Sequence, residues 1–204
     1  MMNIKVVAFD CDGVLFDTTQ ANTIYYNRLL EHFGKPEITP EQFKYVHMHT
    51  VDNAIAHLFD DEKTRKAANE YRRKNVSYLP FIKYMKIEPY LKPLLKKLKP
   101  SYHTAIATNR KGTMNRILSE HGIEKYFDLV VTAIDVKRPK PCPDSLVNIL
   151  KHFKVGPRQV IYIGDSELDE KAAKAAGIPF AAYGNPSLSA DFHIRNLKEI
   201  EALL

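Results

Sequence analysis

Short apolar runs, separated by segments of helical pattern, dominate most of the chain. The runs are rich in β-branched residues and end near Gly, Pro or Asp, which is typical of buried strands. They lie at residues 5–9, 104–107, 129–132, 160–163 and 180–182. Apolar residues recur at helical spacing over residues 114–121, 144–153 and 167–176. Strands that alternate with helices predict an α/β fold built on a doubly wound parallel sheet.

Residues 17–86 follow a different pattern, which is helical almost throughout and contains no convincing strand. Helices are predicted over residues 18–33, 52–59, 62–75 and 76–86. A further helix should begin at Thr39, because Pro40 and Gln42 complete the pattern of a capping box with a proline in the first turn. The pattern therefore separates a helical segment, residues 17–86, from residues 1–16 and 87–204, where strands and helices alternate.

The composition is that of an ordinary globular protein of 204 residues, with a net charge of +6. Residues 60–100 hold twelve Lys or Arg against five Asp or Glu, so the positive charge is concentrated there. Such a region could steer a phosphorylated substrate, bind nucleic acid or simply face solvent. The chain has neither an apolar stretch long enough for a membrane span nor a secretory signal, and its cysteines, Cys11 and Cys142, show no disulfide pattern. We expect a cytoplasmic monomer or homodimer with no membrane partner.

Two carboxylates follow the first strand at positions i and i+2. Asp10 and Asp12 point the same way if the strand alternation continues, and Gly13 comes next, where it allows a sharp turn. Two anions placed together are costly unless a cation lies between them or a proton is shared. A metal site at the carboxyl end of the strand is therefore the leading hypothesis, and two solvated aspartates in a turn are the alternative.

Three further segments complete an ordered set of motifs. After the first strand's DxDGV come Ala105–Asn109 with the triplet ATN, the Lys-Pro of Lys140 and Pro141, and Gly164–Asp169 with the pattern GDSxxD. In this order and spacing the chain resembles the haloacid dehalogenase-like superfamily of phosphohydrolases, and most of all its branch with phosphoglycolate phosphatase and beta-phosphoglucomutase. The resemblance implies a Rossmann-like catalytic core formed by residues 1–16 and 87–204, and it identifies residues 17–86 as a helical cap domain inserted into that core.

The resemblance also implies a mechanism. Asp10 would attack phosphorus and form an aspartyl-phosphate, while Asp12 would protonate the leaving group and then deprotonate the attacking water. Asp10, the main-chain carbonyl of Asp12, and Asp165 at the end of its own strand would bind Mg²⁺, which prefers oxygen ligands. Asp169 would orient a metal-bound water or Lys140, although an acid at a helix start that complements the helix dipole is the plainer interpretation.

The phosphate-binding residues are predicted to be Gly13, Thr108, Asn109 and Lys140. Thr108 follows a strand, so its hydroxyl and the next backbone N–H can bind a phosphoryl oxygen. Lys140 lies between two prolines that restrict its backbone, and its compact charge suits both the phosphate and the nucleophile. Two other cationic residues near these motifs are weaker candidates for a role in the site, namely Arg110 and Arg138.

The expected activity is hydrolysis of a small phosphomonoester, such as phosphoglycolate, a nucleotide or a sugar phosphate. One alternative is a sugar-phosphate mutase, but Asn22 replaces the histidine that beta-phosphoglucomutase carries at the corresponding position, and an asparagine cannot titrate. A non-catalytic phosphate-binding or regulatory protein and a nucleic-acid binder are further alternatives, both disfavoured. Residues without a motif in the helical segment should set specificity, namely Asn22, Tyr25, Tyr26 and His49.

Overall fold

A computed structural model describes residues 3–204, which divide into two compact units. One unit comprises the chain up to Phe16 together with Ile87–Leu204, and the other comprises Asp17–Lys86. Two short strands, β2 (Phe16–Asp17) and β3 (Lys86–Ile87), pair where the chain passes from one unit to the other.

The first unit is built on a parallel sheet of six strands. They are β1 (Val6–Phe9), β4 (His103–Ala107), β5 (Leu129–Val131), β6 (Val160–Gly164), β7 (Phe180–Tyr183) and β8 (Phe192–Ile194). Their spatial order is β5-β4-β1-β6-β7-β8, and β1 pairs in parallel with both β4 and β6. The chain therefore reverses its direction of winding beside β1, and ligands of such sheets bind at the carboxyl ends of the strands at this point.

Four helices accompany the sheet: α5 (Leu91–Leu98), α6 (Met114–Glu120), α7 (Asp144–Phe153) and α8 (Glu167–Ala176). All residues of β1 and β6 are buried, as expected for central strands of a parallel sheet. Leu146 and Ile149 of α7 pack into the same core as Ala172 and Ala173 of α8. The predicted doubly wound α/β class is confirmed.

The second unit consists of helices. They are α1 (Thr19–His32), α2 (Pro40–Met48), α3 (Val51–Leu58) and α4 (Glu62–Asn75), followed by a 3-10 helix over Leu79–Tyr84. The capping box at Thr39 forms, with reciprocal hydrogen bonds between Thr39 and Gln42. The predicted α-helix over residues 76–86 is wrong, because Pro80 lies inside it. Proline is tolerated in a first helical turn, and here it lies in the first turn of the short 3-10 helix that begins at Leu79.

No helix within residues 3–204 is both long and apolar enough to cross a membrane.

Candidate active site

The predicted carboxylates of the first strand lie at the carboxyl end of β1. Asp10 continues the sheet, since its N–H donates to the carbonyl of Ile163 at 2.8 Å, and its side chain is buried. Gly13 has a φ of +81°, which suits glycine, and its N–H donates to the carbonyl of Phe16 at 2.8 Å. A Cβ at Gly13 would lie 2.1 Å from Oδ2 of Asp165, so only glycine allows that carboxylate to approach the turn.

Lys140 contacts two carboxylates of the site, those of Asp10 and Asp169. Its Nζ lies 2.7 Å from Oδ1 of Asp10 and 2.6 Å from Oδ1 of Asp169, and its side chain is only 3% exposed. Burial alone would lower the pKa of this ammonium, but the two carboxylates hold it above its usual range. The contact with Asp10 is a buried ion pair, so Lys140 places a positive charge directly against this carboxylate.

Asp10, Asp165 and Asp169 bring one carboxylate oxygen each to within 4.8 Å of one another. Burial raises the pKa of Asp10 to about 7, and Asp169 and Asp12 add to the rise against the opposing effect of Lys140. Burial and the neighbouring Asp169 and Asp10 raise the pKa of Asp165 well above its usual range. Lys140 supplies one positive charge, so three carboxylates this close and this buried need a further cation if they are all to be ionised.

Both oxygens of Asp169 are already engaged by protein donors. Its Oδ1 accepts from Lys140 and from the hydroxyl of Tyr162, each at 2.6 Å, and its Oδ2 accepts from the N–H and hydroxyl of Ser166. Gly164 makes room for this side chain, because a Cβ there would lie 2.4 Å from Cβ of Asp169. Asp169 is thus suited to orienting Lys140, and its oxygens are less available to a metal than those of Asp10.

Thr108 and Asn109 follow β4, next to the end of β1. The hydroxyl of Thr108 accepts the N–H of Arg110 at 3.1 Å, while its own N–H donates to Val131 in the sheet. The side-chain amide of Asn109 donates to the carbonyl of Lys140 at 3.1 Å and so fixes the loop that carries the lysine. The structure thus brings the three motifs after β1, β4 and β6 and the Lys140 loop to one edge of the sheet.

Two residues at this edge were underrated or missed by the sequence interpretation. Arg110 donates from Nε to Oδ2 of Asp12 at 2.6 Å and from Nη2 to Oδ1 at 2.7 Å, whereas Arg138 pairs with Asp144 at the exposed surface. Tyr162 had no signal in the sequence beyond its place in an apolar strand, yet its hydroxyl contacts Lys140 at 3.0 Å.

The cysteine between the two carboxylates takes no part in this arrangement. Cys11 is fully buried, and burial raises the pKa of its thiol well above its ordinary value. Its thiol therefore stays protonated.

Comparison with known proteins identifies the family. A family model described as haloacid dehalogenase-like hydrolase matches residues 7–183. The chain belongs to the haloacid dehalogenase-like hydrolase family. The family, and with it the expectation of an enzyme, is therefore confirmed.

Individual members of the family resemble the chain over nearly its whole length. It is 27% identical to pyrophosphatase PpaX of Bacillus velezensis, over 97% of this chain and 94% of that protein. It is 24% identical to phosphoglycolate phosphatase of Chromobacterium violaceum, over 100% of this chain and 98% of that protein. The crystal structure of a subfamily IA hydrolase of the superfamily from Geobacter sulfurreducens matches with 35% identity and a TM-score of 0.81, covering 99% and 97% of the two chains.

Proposed function

We propose that this haloacid dehalogenase-like hydrolase is a Mg²⁺-dependent phosphatase of small phosphomonoesters that acts through an aspartyl-phosphate on Asp10. The observation that carries the proposal is the surroundings of Asp10: a buried carboxylate 2.7 Å from the ammonium of Lys140, with the carboxylate of Asp165 close by. A carboxylate can act as the nucleophile, and a phosphoryl group needs cations nearby to balance its charge.

The residues fit a divalent cation. Asp10, the main-chain carbonyl of Asp12, and Asp165 would hold it, because the buried carboxylates of Asp10 and Asp165 come close together and a cation between them would offset the rise in pKa that burial causes. Mg²⁺ takes oxygen ligands and retains waters, and when bound it would offset the repulsion between Asp10 and the phosphate. Asp169 would orient Lys140 rather than serve as a ligand, because protein donors already engage its oxygens.

The reaction would proceed in two displacements. In the first, a carboxylate oxygen of Asp10 bonds to phosphorus as the bond to the leaving oxygen breaks, and Asp12 gives its proton to that oxygen. In the second, Asp12 takes a proton from water, the water oxygen bonds to phosphorus, and the bond to Asp10 breaks to release phosphate. The carboxylate of Asp10 and the proton on Asp12 are both restored.

Phosphate binding would fall to Lys140, Thr108 and Asn109, which lie at the same edge of the sheet. The hydroxyl of Thr108 already accepts one hydrogen bond and can donate its own proton to a phosphoryl oxygen. Gly13 would act by letting the chain turn closely around the site, because its N–H is engaged with Phe16 and a phosphate would have to share it.

The substrate class rests on the relatives and on the helical unit. Relatives named for pyrophosphate and phosphoglycolate hydrolysis suggest a small substrate, and we propose that residues 17–86 act as the cap domain that selects it. Within that unit, Tyr25 and Tyr26 are buried core residues, while Asn22 accepts a hydrogen bond from Tyr78 at 2.6 Å. We place the protein in the cytoplasm, acting on a phosphorylated metabolite rather than on nucleic acid.

The sugar-phosphate mutase remains a second candidate for one specific reason. Asn22 itself cannot titrate, but Nδ1 of His47 lies 3.3 Å from its side-chain nitrogen, so an imidazole is present beside it. Formation of glucose 6-phosphate from beta-glucose 1-phosphate, faster than phosphate release, would favour this candidate over the phosphatase.

The proposal is tested by phosphate release across a panel of monoesters and pyrophosphate, with Mg²⁺ and with a chelator. Asp10→Asn is nearly isosteric and should abolish Mg²⁺-dependent turnover while the melting temperature changes little. The matched control is Asp60→Asn, whose carboxylate is 92% exposed and pairs only weakly with Lys35 at 3.5 Å; it should keep full activity. Substantial hydrolysis by purified Asp10→Asn protein would refute the mechanism.

A further inference from the structure

Arg110 holds the carboxylate of Asp12 with a two-pronged contact. Nε and Nη2 of the guanidinium reach Oδ2 and Oδ1 at 2.6 and 2.7 Å, and the two side chains are only 9% and 12% exposed. Parallel charge-assisted bonds of this kind fix the plane of the carboxylate as well as its position. Arg110 therefore orients Asp12, the residue that transfers the proton in the proposed mechanism.

The backbone of Arg110 is itself anchored on both sides. Its N–H donates to the hydroxyl of Thr108 at 3.1 Å, and its carbonyl accepts the N–H of Ala133 at 2.9 Å. Nη1 lies 3.5 Å from the hydroxyl of Thr113, at the limit of a hydrogen bond. These hydrogen bonds fix the backbone of the loop after β4 and so hold the guanidinium against Asp12.

We propose that Arg110 is a positioning residue for proton transfer: it aims the carboxyl group of Asp12 at the leaving oxygen of the substrate. The inference rests on the proposed function, because it assumes that Asp12 is the general acid. Each oxygen of Asp12 accepts one N–H from the arginine, and a carboxylate oxygen has two lone pairs, so accepting one N–H is compatible with carrying a proton. Proton transfer needs heavy atoms within about 2.6–3.2 Å, and a misplacement of about 1 Å can cost about 10²-fold in rate.

A lysine in place of Arg110 would keep the charge but lose the planar fork. An ammonium is a point charge on a flexible stem, so it can neutralise Asp12 without fixing the carboxylate plane. Arg110→Met removes both the charge and the planar fork, whereas Arg110→Lys removes only the fork. Together the two variants distinguish the effect of the fork's geometry from the effect of its charge.

The test compares two esters that differ in their need for a general acid. An alkyl phosphomonoester found by the substrate panel leaves as a basic alkoxide that requires a proton, whereas p-nitrophenyl phosphate leaves as a stable phenolate that does not. Because kcat/KM covers only the steps up to departure of the leaving group, it isolates the step in which Asp12 acts as the acid. For Arg110→Met we expect a fall of about 10²-fold on the alkyl ester and less than about threefold on the aryl ester.

Three comparisons complete the test. Asp12→Asn should show the same discrimination between esters, and Asp12→Asn combined with Arg110→Met should lose no more than Asp12→Asn alone, since the arginine acts through that carboxylate. Millimolar guanidinium should partly restore Arg110→Ala on the alkyl ester. Arg116→Met, which removes a guanidinium paired with Glu120 at the exposed surface, should behave as the wild type.

Each contrary result has a distinct meaning. An equal loss on both esters, with Arg110→Lys fully active, would overturn the inference and leave Arg110 as a structural counter-ion. A further loss in the double variant would overturn it by assigning Arg110 to the substrate. Failure of the wild-type protein to release phosphate from either ester would instead overturn the proposed function, and the inference with it.

Discussion

Replacement of Lys140 by methionine should destabilise the protein strongly and in a manner that depends on pH. The ammonium is 3% exposed and lies 2.7 and 2.6 Å from the carboxylates of Asp10 and Asp169, so its loss leaves buried negative charge without a partner. Removing one partner of a buried pair costs about 3–5 kcal/mol. Methionine preserves most of the volume, so the loss of packing should add little to this cost.

The pH dependence follows from the pKa of Asp10, which burial raises to about 7. Above that pH the carboxylate is ionised and most needs Lys140, while at pH 5 it carries a proton and needs the ammonium less. Loss of Lys140 should raise the pKa of Asp10 further, because Lys140 is the main group that lowers it. The difference in free energy of unfolding between wild type and Lys140→Met should therefore be nearly constant below about pH 7 and grow above it, by at most about 1.4 kcal/mol per pH unit for each proton, so that it is larger at pH 8 than at pH 5.

Urea unfolding in the presence of a chelator, at pH 5, 6, 7 and 8, measures this difference directly. Lys97→Met is the matched control, because its ammonium pairs with Glu201 while remaining 68% exposed; it should change the free energy of unfolding by less than about 1 kcal/mol at every pH. A destabilisation by Lys140→Met that is the same at pH 5 and pH 8, or no larger than that of Lys97→Met, would refute the reasoning.

Three further predictions concern the same edge of the sheet. Tyr162→Phe removes the hydroxyl between Lys140 and Asp169, so kcat should fall about tenfold while KM stays nearly constant; a change in KM alone would contradict this role. Gly164→Ala places a Cβ 2.4 Å from that of Asp169, and should lower both the melting temperature and kcat, whereas alanine at Gly112, where nothing lies within 4 Å of an added Cβ, should change neither. In metal-free protein the folded state binds the proton of Asp10 more tightly than the unfolded state does, so the stability of the protein should fall as pH rises from about 4 to about 7. Mg²⁺ should therefore raise the melting temperature more at pH 8 than at pH 5. An equal rise at both pH values would contradict the assignment of Asp10 as a metal ligand.

The parts of the fold with strong local signals were predictable from the sequence. Helices α7 and α8 have the predicted bounds, because Pro143, Ser166 and Gly177 mark their ends in the sequence itself. The edge strand β8 was missed, since three residues carry too little pattern to stand out from a loop. The α-helix expected over residues 76–86 does not form, because Pro80 lacks the N–H that an interior helical residue donates.

In the candidate site, too, residues within local sequence motifs could be predicted, whereas contacts between residues far apart in the chain could not. Asp10, Asp12, Lys140 and Asp165 could be proposed because each belongs to a motif with its own local spacing. The contact of Arg110 with Asp12 joins residues 98 positions apart, and no pattern within either segment encodes it. Tyr162 likewise has the pattern of a buried strand residue, and only the approach of Lys140 and Asp169 reveals the use of its hydroxyl.

The central claim is that Asp10 becomes phosphorylated during turnover. Rapid acid quenching with saturating substrate and Mg²⁺, followed by borohydride, reduces an acyl phosphate and converts that aspartate to homoserine, which peptide sequencing by mass spectrometry locates. We predict homoserine at position 10 in the wild-type protein, only when substrate is present, and none in Asp10→Asn. Homoserine at another aspartate, or none at all under conditions where the leaving-group alcohol is released in a rapid burst ahead of phosphate, would contradict the claim.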